Sequence, residues 1–95
     1  MVTRGFSMAN LHLQPNEIEL VDSGGTHYRP HILASARQDG TLEAWIEFHP
    51  IEGGPVRVTD RESTQPDENA VEYWAAGLEP TYFEGAFQRA VLRRS

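Results

Sequence analysis

Three histidines, His27, His31 and His49, fall at odd positions in the middle of the chain. Imidazole nitrogens are common ligands of zinc and other transition metals, so this spacing raises a metal hypothesis. In the hairpin predicted below, His49 lies opposite Arg29, which leaves the other two histidines as its diagonal neighbours. Three imidazoles in that arrangement rarely converge on one ion. We therefore expect solvated histidines on a polar sheet face, with no metal site and no cofactor.

Glu43 and Glu47 flank Trp45 on one strand face, and paired carboxylates of this kind could perform general acid and base catalysis. In the predicted register each has an arginine beside it, Arg61 next to Glu43 and Arg57 next to Glu47. Such pairs are typical of cross-strand ion pairs on a solvated sheet. We therefore assign no catalytic residue to the chain.

A hairpin must position these side chains. Apolar residues occupy the even positions of residues 27–37 and again of residues 42–48, which is the period of half-buried strands. A three-residue loop at residues 38–40, with Gly40 left-handed, keeps even positions opposite even positions and sets Ala34 against Ala44. We call the even face of this hairpin the inner face and the odd face the outer face.

A third strand at residues 56–61 continues the pattern, with Val56 opposite Phe48. Residues 17–21 alternate enough to be a candidate fourth strand. The order predicts an antiparallel meander of three or four strands, followed by two helices packed on the inner face.

The first helix is predicted to begin near Thr64 and Pro66, because threonine caps helices and proline suits their first turn. Gly77 predicts a left-handed stop, at which replacement by alanine would destabilise the fold, and Pro80 restarts a second helix. This α+β domain is expected to span residues 16–95 behind a flexible leader at residues 1–15.

The outer face is anomalous, because Leu33 should lie opposite Trp45 while both helices cover the other side. One explanation is an interaction surface with an apolar centre. The alternative, equally consistent with the sequence, is that the apolar residues between Leu11 and Val21 fold over this face. The candidate interaction residues are Leu33, Glu43, Trp45, Glu47, Arg57 and Arg61.

Four aromatic residues, Tyr73, Trp74, Tyr82 and Phe83, surround the predicted junction between the helices. Aromatics at such a junction most often belong to the core. The alternative is a small hydrophobic pocket with acidic residues nearby.

Composition narrows the functional classes. The net charge of -6 opposes a broad electrostatic grip on nucleic acid or on an anionic membrane. The chain has no cysteine, which excludes disulfides and is consistent with a reducing compartment. It also has no apolar run of the roughly 20 residues that a membrane helix needs. We expect a cytoplasmic protein.

Four segments together resemble a group of small bacterial proteins of unknown function: residues 45–48 (WIEF), 53–56 (GGPV), 59–66 (TDRESTQP) and 73–80 (YWAAGLEP). The meander followed by helix is also similar in topology to HicB-type antitoxins. Neither resemblance implies an activity or a ligand for this chain.

The sequence favours a non-enzymatic interaction domain that binds a protein partner or a second copy of itself. It would use the outer face or the free edge of the meander. The alternative is a small-molecule or catalytic domain, centred on the aromatic helix junction near Glu79 and Glu84.

Overall fold

The domain is α+β, as predicted, but its sheet has more strands than the three or four expected. A computed structural model describes residues 10–93; residues 1–9 of the predicted leader and residues 94–95 of the predicted domain lie outside them. The elements in chain order are β1 (Leu11–Leu13), β2 (Leu20–Val21), β3 (His27–Ala36), β4 (Leu42–Pro50), β5 (Arg57–Val58), β6 (Ser63–Gln65), α1 (Glu68–Ala76), α2 (Pro80–Arg89) and β7 (Val91–Leu92). The seven strands form one antiparallel sheet.

The central hairpin of β3 and β4 has the predicted register. Ala34 lies opposite Ala44, and the Arg37 N–H donates to the Thr41 carbonyl at 2.7 Å, which leaves three residues in the loop. Gly40 has a φ of 90°, the left-handed conformation that the loop requires. This local turn chemistry fixes which residues face the helices.

Two short strands, β1 and β2, lie end to end along the free side of β3. They are separated at Pro30, which has no N–H to donate to a strand on that side. The pairing of Leu11 with Ala34 places a strand inside the stretch predicted as a leader. Strand β2 lies within the candidate fourth strand at residues 17–21, whereas β1 was missed because a run of three residues carries almost no periodic signal.

Along the free side of β4, strands β5 and β6 take the place of the single third strand that was predicted. Val58 lies opposite Glu47 and Arg57 opposite Phe48, so the predicted pairing of Val56 with Phe48 is wrong by one residue. A one-residue shift turns each side chain of a strand to the other face. Arg57 therefore reaches the inner face and Val58 the outer face.

Contacts on the inner face explain the observed orientation of Arg57. Its guanidinium carbon lies 5.4 Å from the ring centre of Tyr28 and 5.5 Å from that of Phe87. Its Nη2 also approaches Asp22 Oδ2 at 3.3 Å. Stacking and an ion pair together favour this position over a solvated cross-strand pair. The predicted pairing of Arg57 with Glu47 is therefore wrong, and Arg61 does not pair with Glu43 either.

Both helices pack on the inner face. Ile46 and Phe48 of the hairpin are fully buried against a cluster that includes Phe83 and Ala86 of α2, while Val71 of α1 packs with a second cluster. Two details of α1 differ from prediction. Its N-cap is Asp67, whose Oδ1 accepts from the N–H of Ala70 at 2.8 Å, whereas Thr64 belongs to β6. Gly77 ends α1 at a φ of -89°, so the predicted left-handed stop is wrong.

Candidate functional site

The outer face has no helix over it among the described residues, and a band of polar side chains crosses it. Because the register alternates, side chains from all seven strands and from the residue after β7 share this face. They are His12, Val21, His27, Arg29, His31, Leu33, Ser35, Glu43, Trp45, Glu47, His49, Val58, Thr64, Val91 and Arg93.

Leu33 and Trp45, the predicted apolar centre, lie directly opposite each other. Leu33 is only 3% exposed, whereas Trp45 is half-buried. The indole Nε1–H donates to Glu47 Oε2 at 3.0 Å, so the ring is held in one orientation. Trp45 therefore presents part of its apolar ring to solvent in a fixed orientation.

Beside Trp45 lies a shallow concavity of about 300 Å³, also lined by Glu43, Val58 and Arg61. Among residues 10–93, neither Glu43 nor Arg61 forms an ion pair. An acid and a base thus border one apolar depression without neutralising each other. This part of the predicted interaction face is brought together by the fold, whereas Arg57 is carried to the opposite face.

The amino-terminal segment between Leu11 and Val21 does not cover the outer face, contrary to the alternative explanation from the sequence. Leu11 and Leu13 pack against the clusters of the inner face, as do Ile18 and Leu20. Val21 is 53% exposed. These residues extend the inner core at the edge of the sheet and do not lie over Leu33 and Trp45.

Glu47 is a buried carboxylate at the middle of the outer face. Trp45 and His49 donate to its two oxygens, at 3.0 and 2.9 Å, and Arg93 forms an ion pair with it. Burial by itself would raise the pKa of Glu47, but these hydrogen bonds and the arginine charge outweigh burial and lower the pKa. Glu47 is therefore ionised at neutral pH, with each of its donors supplied by a different side chain.

A row of three histidines continues from Glu47 towards β1. The rings of His49 and His31 lie 4.1 Å apart between centres, and those of His31 and His12 lie 4.9 Å apart. His12 Nε2 is 2.7 Å from His31 Nδ1. Burial, assisted by the neighbouring imidazoles, lowers the pKa of His31 to about 4, so this ring is neutral at pH 7.

The row differs in membership from the trio considered in the sequence. His27 lies apart from the row and pairs with Glu19, whereas His12, assigned to the leader, joins His31. Arg93, whose contact with Glu47 was not predicted from the sequence, follows β7. The alternation of Leu11, His12 and Leu13 was the only sequence signal that could have placed His12 on a strand. Among residues 10–93, no group of three or more His, Asp or Glu is arranged to hold a metal ion.

The aromatic helix junction is mixed in character. Phe83 is buried and Tyr73 is 86% exposed, while Trp74 and Tyr82 meet edge to face at 6.4 Å. The Tyr82 hydroxyl donates to Glu62, and burial together with this carboxylate raises the pKa of the phenol to about 12. Of these four side chains, only Phe83 lines the cavity described next.

Phe83 helps to line a cavity that is larger than the outer-face concavity beside Trp45. It has a volume of about 440 Å³ and opens between α1 and the chain that links β1 to β2. Ile32 and Phe83 are both 1% exposed at its base. The remaining lining residues are Leu13, Gln14, Pro15, Ile18, Glu72, Ala75, Ala76 and Leu78.

Comparison of the chain with models of protein families, with characterised proteins and with solved structures finds no match. The resemblance to small bacterial proteins and to HicB-type antitoxins therefore stays a hypothesis. Neither helix within residues 10–93 has the length and hydropathy required to cross a membrane.

Proposed function

We propose that this chain is a non-enzymatic cytoplasmic interaction domain that pairs with a second copy of itself through the outer face. The observation that supports the proposal best is the concavity beside Trp45, with Glu43 and Arg61 on its border and no ion pair between them. Apolar centres with polar borders are the usual anatomy of association surfaces.

Self-pairing is favoured over a charged partner of one sign because the patch carries both signs. In a two-fold symmetric dimer the same surface is used twice, so Arg61 of one copy can approach Glu43 of the other. The contact would exclude water from both Trp45 rings, and a buried aromatic residue at the centre of an interface commonly dominates its binding energy.

Sedimentation equilibrium over a series of protein concentrations tests this proposal. Wild type is expected to form dimers, and Trp45→Ala is expected to weaken dimerisation by roughly thirtyfold or more, which corresponds to loss of an interface hot spot of about 2 kcal/mol. Tyr73→Ala removes another aromatic side chain, 86% exposed on α1, and serves as the control, with the mass in solution expected to equal that of wild type.

Charge exchange sharpens the same experiment. Glu43→Arg alone should weaken dimerisation, because two arginines would then meet across the two-fold axis, and Arg61→Glu alone should do the same. The double variant restores opposite charges and should recover the dimer. A wild type that sediments as a monomer at every concentration would contradict self-pairing.

A second candidate function is supported by the 440 Å³ cavity near the helix junction, whose size falls within the range of small-molecule sites. An apolar ligand would rest on Ile32 and Phe83. Ala75→Phe should fill the space from α1 and abolish binding of an apolar fluorescent probe, whereas the exposed Tyr73→Ala should leave it unchanged. Equal binding by wild type and Ala75→Phe would exclude this site.

A further inference from the structure

His12 and His31 form a close pair that bridges two strands at the β1 side of the outer face. His12 of β1 lies directly opposite Leu33 of β3, so His31, two residues before Leu33, is the diagonal neighbour of His12. The two rings are tilted by 46°, and His12 Nε2 points at His31 Nδ1 across 2.7 Å. The two ring nitrogens thus face each other at hydrogen-bond distance.

Only one proton fits between two facing imidazole nitrogens, so at least one of them presents a lone pair to the other. When the exposed His12 ring moves off the axis of the His31 lone pair, a transition-metal ion can replace that proton and accept a lone pair from each ring. With metal to nitrogen bonds of about 2.0–2.1 Å, two nitrogens 2.7 Å apart subtend about 80° at the metal. A tetrahedral ion would need them roughly 3.3 Å apart, whereas a tetragonal ion needs about 2.9 Å.

We propose that His12 and His31 form a bidentate site for one divalent transition-metal ion of tetragonal preference, of which Cu²⁺ is the strongest binder. Tetragonal coordination by nitrogen and oxygen is characteristic of Cu²⁺ and Ni²⁺, and the affinity of such sites is greatest for Cu²⁺. The proposal goes beyond the association of two chains and does not depend on it.

Neighbouring side chains hold one of the two ligands in place. The His49 ring packs against His31 at 4.1 Å, and His49 itself is anchored by the buried carboxylate of Glu47. Anchored rings of this kind reduce the ordering cost of metal binding. His12 is exposed at the edge of the sheet, so water has access to the remaining coordination positions.

The test is a calorimetric titration of the full chain with Cu²⁺, using glycine as a competing ligand, alongside electron paramagnetic resonance. We expect one ion per chain and an axial spectrum with hyperfine splitting from two imidazole nitrogens. His12→Ala and His31→Ala should each weaken binding by roughly tenfold or more, because each removes one of two protein ligands. His27→Ala removes a histidine from β3, the strand of His31, and should bind Cu²⁺ as wild type does.

Circular dichroism of each variant separates a lost ligand from a lost fold. His12 is exposed, so His12→Ala is expected to keep the wild-type spectrum and carries the test even where His31→Ala unfolds. Undiminished Cu²⁺ affinity in a folded His12→Ala variant overturns the proposal, as does equal loss of affinity in His27→Ala. Absence of stoichiometric binding to wild type overturns it as well.

Discussion

The two faces of the sheet bury their side chains in different ways. On the inner face, Ile46 and Phe48 are fully buried beneath two helices. On the outer face, Glu47 is only 7% exposed although no described helix covers it. Burial on the inner face comes from packing between the sheet and the helices. Burial on the outer face comes from contacts between neighbouring side chains of the sheet itself.

The difference also concerns what is buried. Within the described part of the chain, the centre of the inner face contains no charged side chain. Arg57 lies at its border, where it stacks on aromatic rings and forms an ion pair with Asp22. The outer face buries an ionised carboxylate and supplies its hydrogen bonds from side chains. Within residues 10–93, no buried side-chain nitrogen or oxygen lacks a hydrogen-bond partner. A laterally packed face can therefore hold charge at a cost that its own network offsets.

Phe48→Ala should have the largest effect, because it removes a fully buried ring that meets Phe87 edge to face at 5.0 Å. We expect the free energy of unfolding to fall by about 3–5 kcal/mol. Trp45→Ala, on the outer face, should cost clearly less. Urea unfolding measures both, at protein concentrations low enough to keep the chain monomeric. Equal losses would remove the proposed contrast between the faces.

Glu47→Gln should have an intermediate effect. The amide keeps the shape of the side chain but loses its charge, so the interactions with Arg93 and His49 weaken. We expect a loss of about 1.5–3 kcal/mol in the free energy of unfolding at pH 7, typical of hydrogen bonds to a charged group. Urea unfolding measures it, with Glu43→Gln on the same face as the control.

The same variant has a pH signature. The pKa of Glu47 is lowered in the folded state, so its contribution to stability is complete above its ordinary value of 4.5 and is lost as the pH falls through the folded value. Wild type should therefore lose stability below about pH 5 more steeply than Glu47→Gln. Asp22 and Asp39 have lowered pKa values in both proteins and cancel in the difference. Parallel curves would show that Glu47 is not held as an ion by this network.

Gly40→Ala should have a smaller effect, because a side chain at a φ of 90° costs about 1–2 kcal/mol. This turn sets the register, and hence decides which face each hairpin residue occupies. Gly77→Ala should change stability by less than about 0.5 kcal/mol, because its φ is -89° and an added Cβ meets its nearest atom at an ordinary 3.7 Å. Thermal melts compare the two. A larger loss at Gly77 would restore the left-handed stop that the sequence suggested.

The hairpin could be predicted from sequence because its information is local. Alternation on both strands and the chemistry of a three-residue loop agree on one register, which places Leu33 opposite Trp45. The two helices were also predicted, from Pro66 near the start of the first, Gly77 at its end and Pro80 at the start of the second. Patterns of ten residues outweigh accidental matches, and the corresponding elements appear at nearly the predicted positions.

The flanking strands and much of the outer face could not be predicted. The orientation of Arg57 depends on Tyr28, Asp22 and Phe87, which are distant in sequence and leave no local trace. His12 lies in a strand of only three residues, below the length at which alternation is informative. Two polar contacts of the outer face, Arg93 with Glu47 and His12 with His31, arise from these terminal segments.

The interrupted borders of the sheet have a consequence for how it can grow. One side of the hairpin ends in β1 and β2, and the other in β6 and β7, each only two or three residues long. An incoming strand from another molecule needs a continuous row of free amides and carbonyls as a template. These borders offer only short, staggered pieces of such a row. Open-ended polymerisation by strand addition is therefore hindered at both borders, even though the hairpin between them is long and regular.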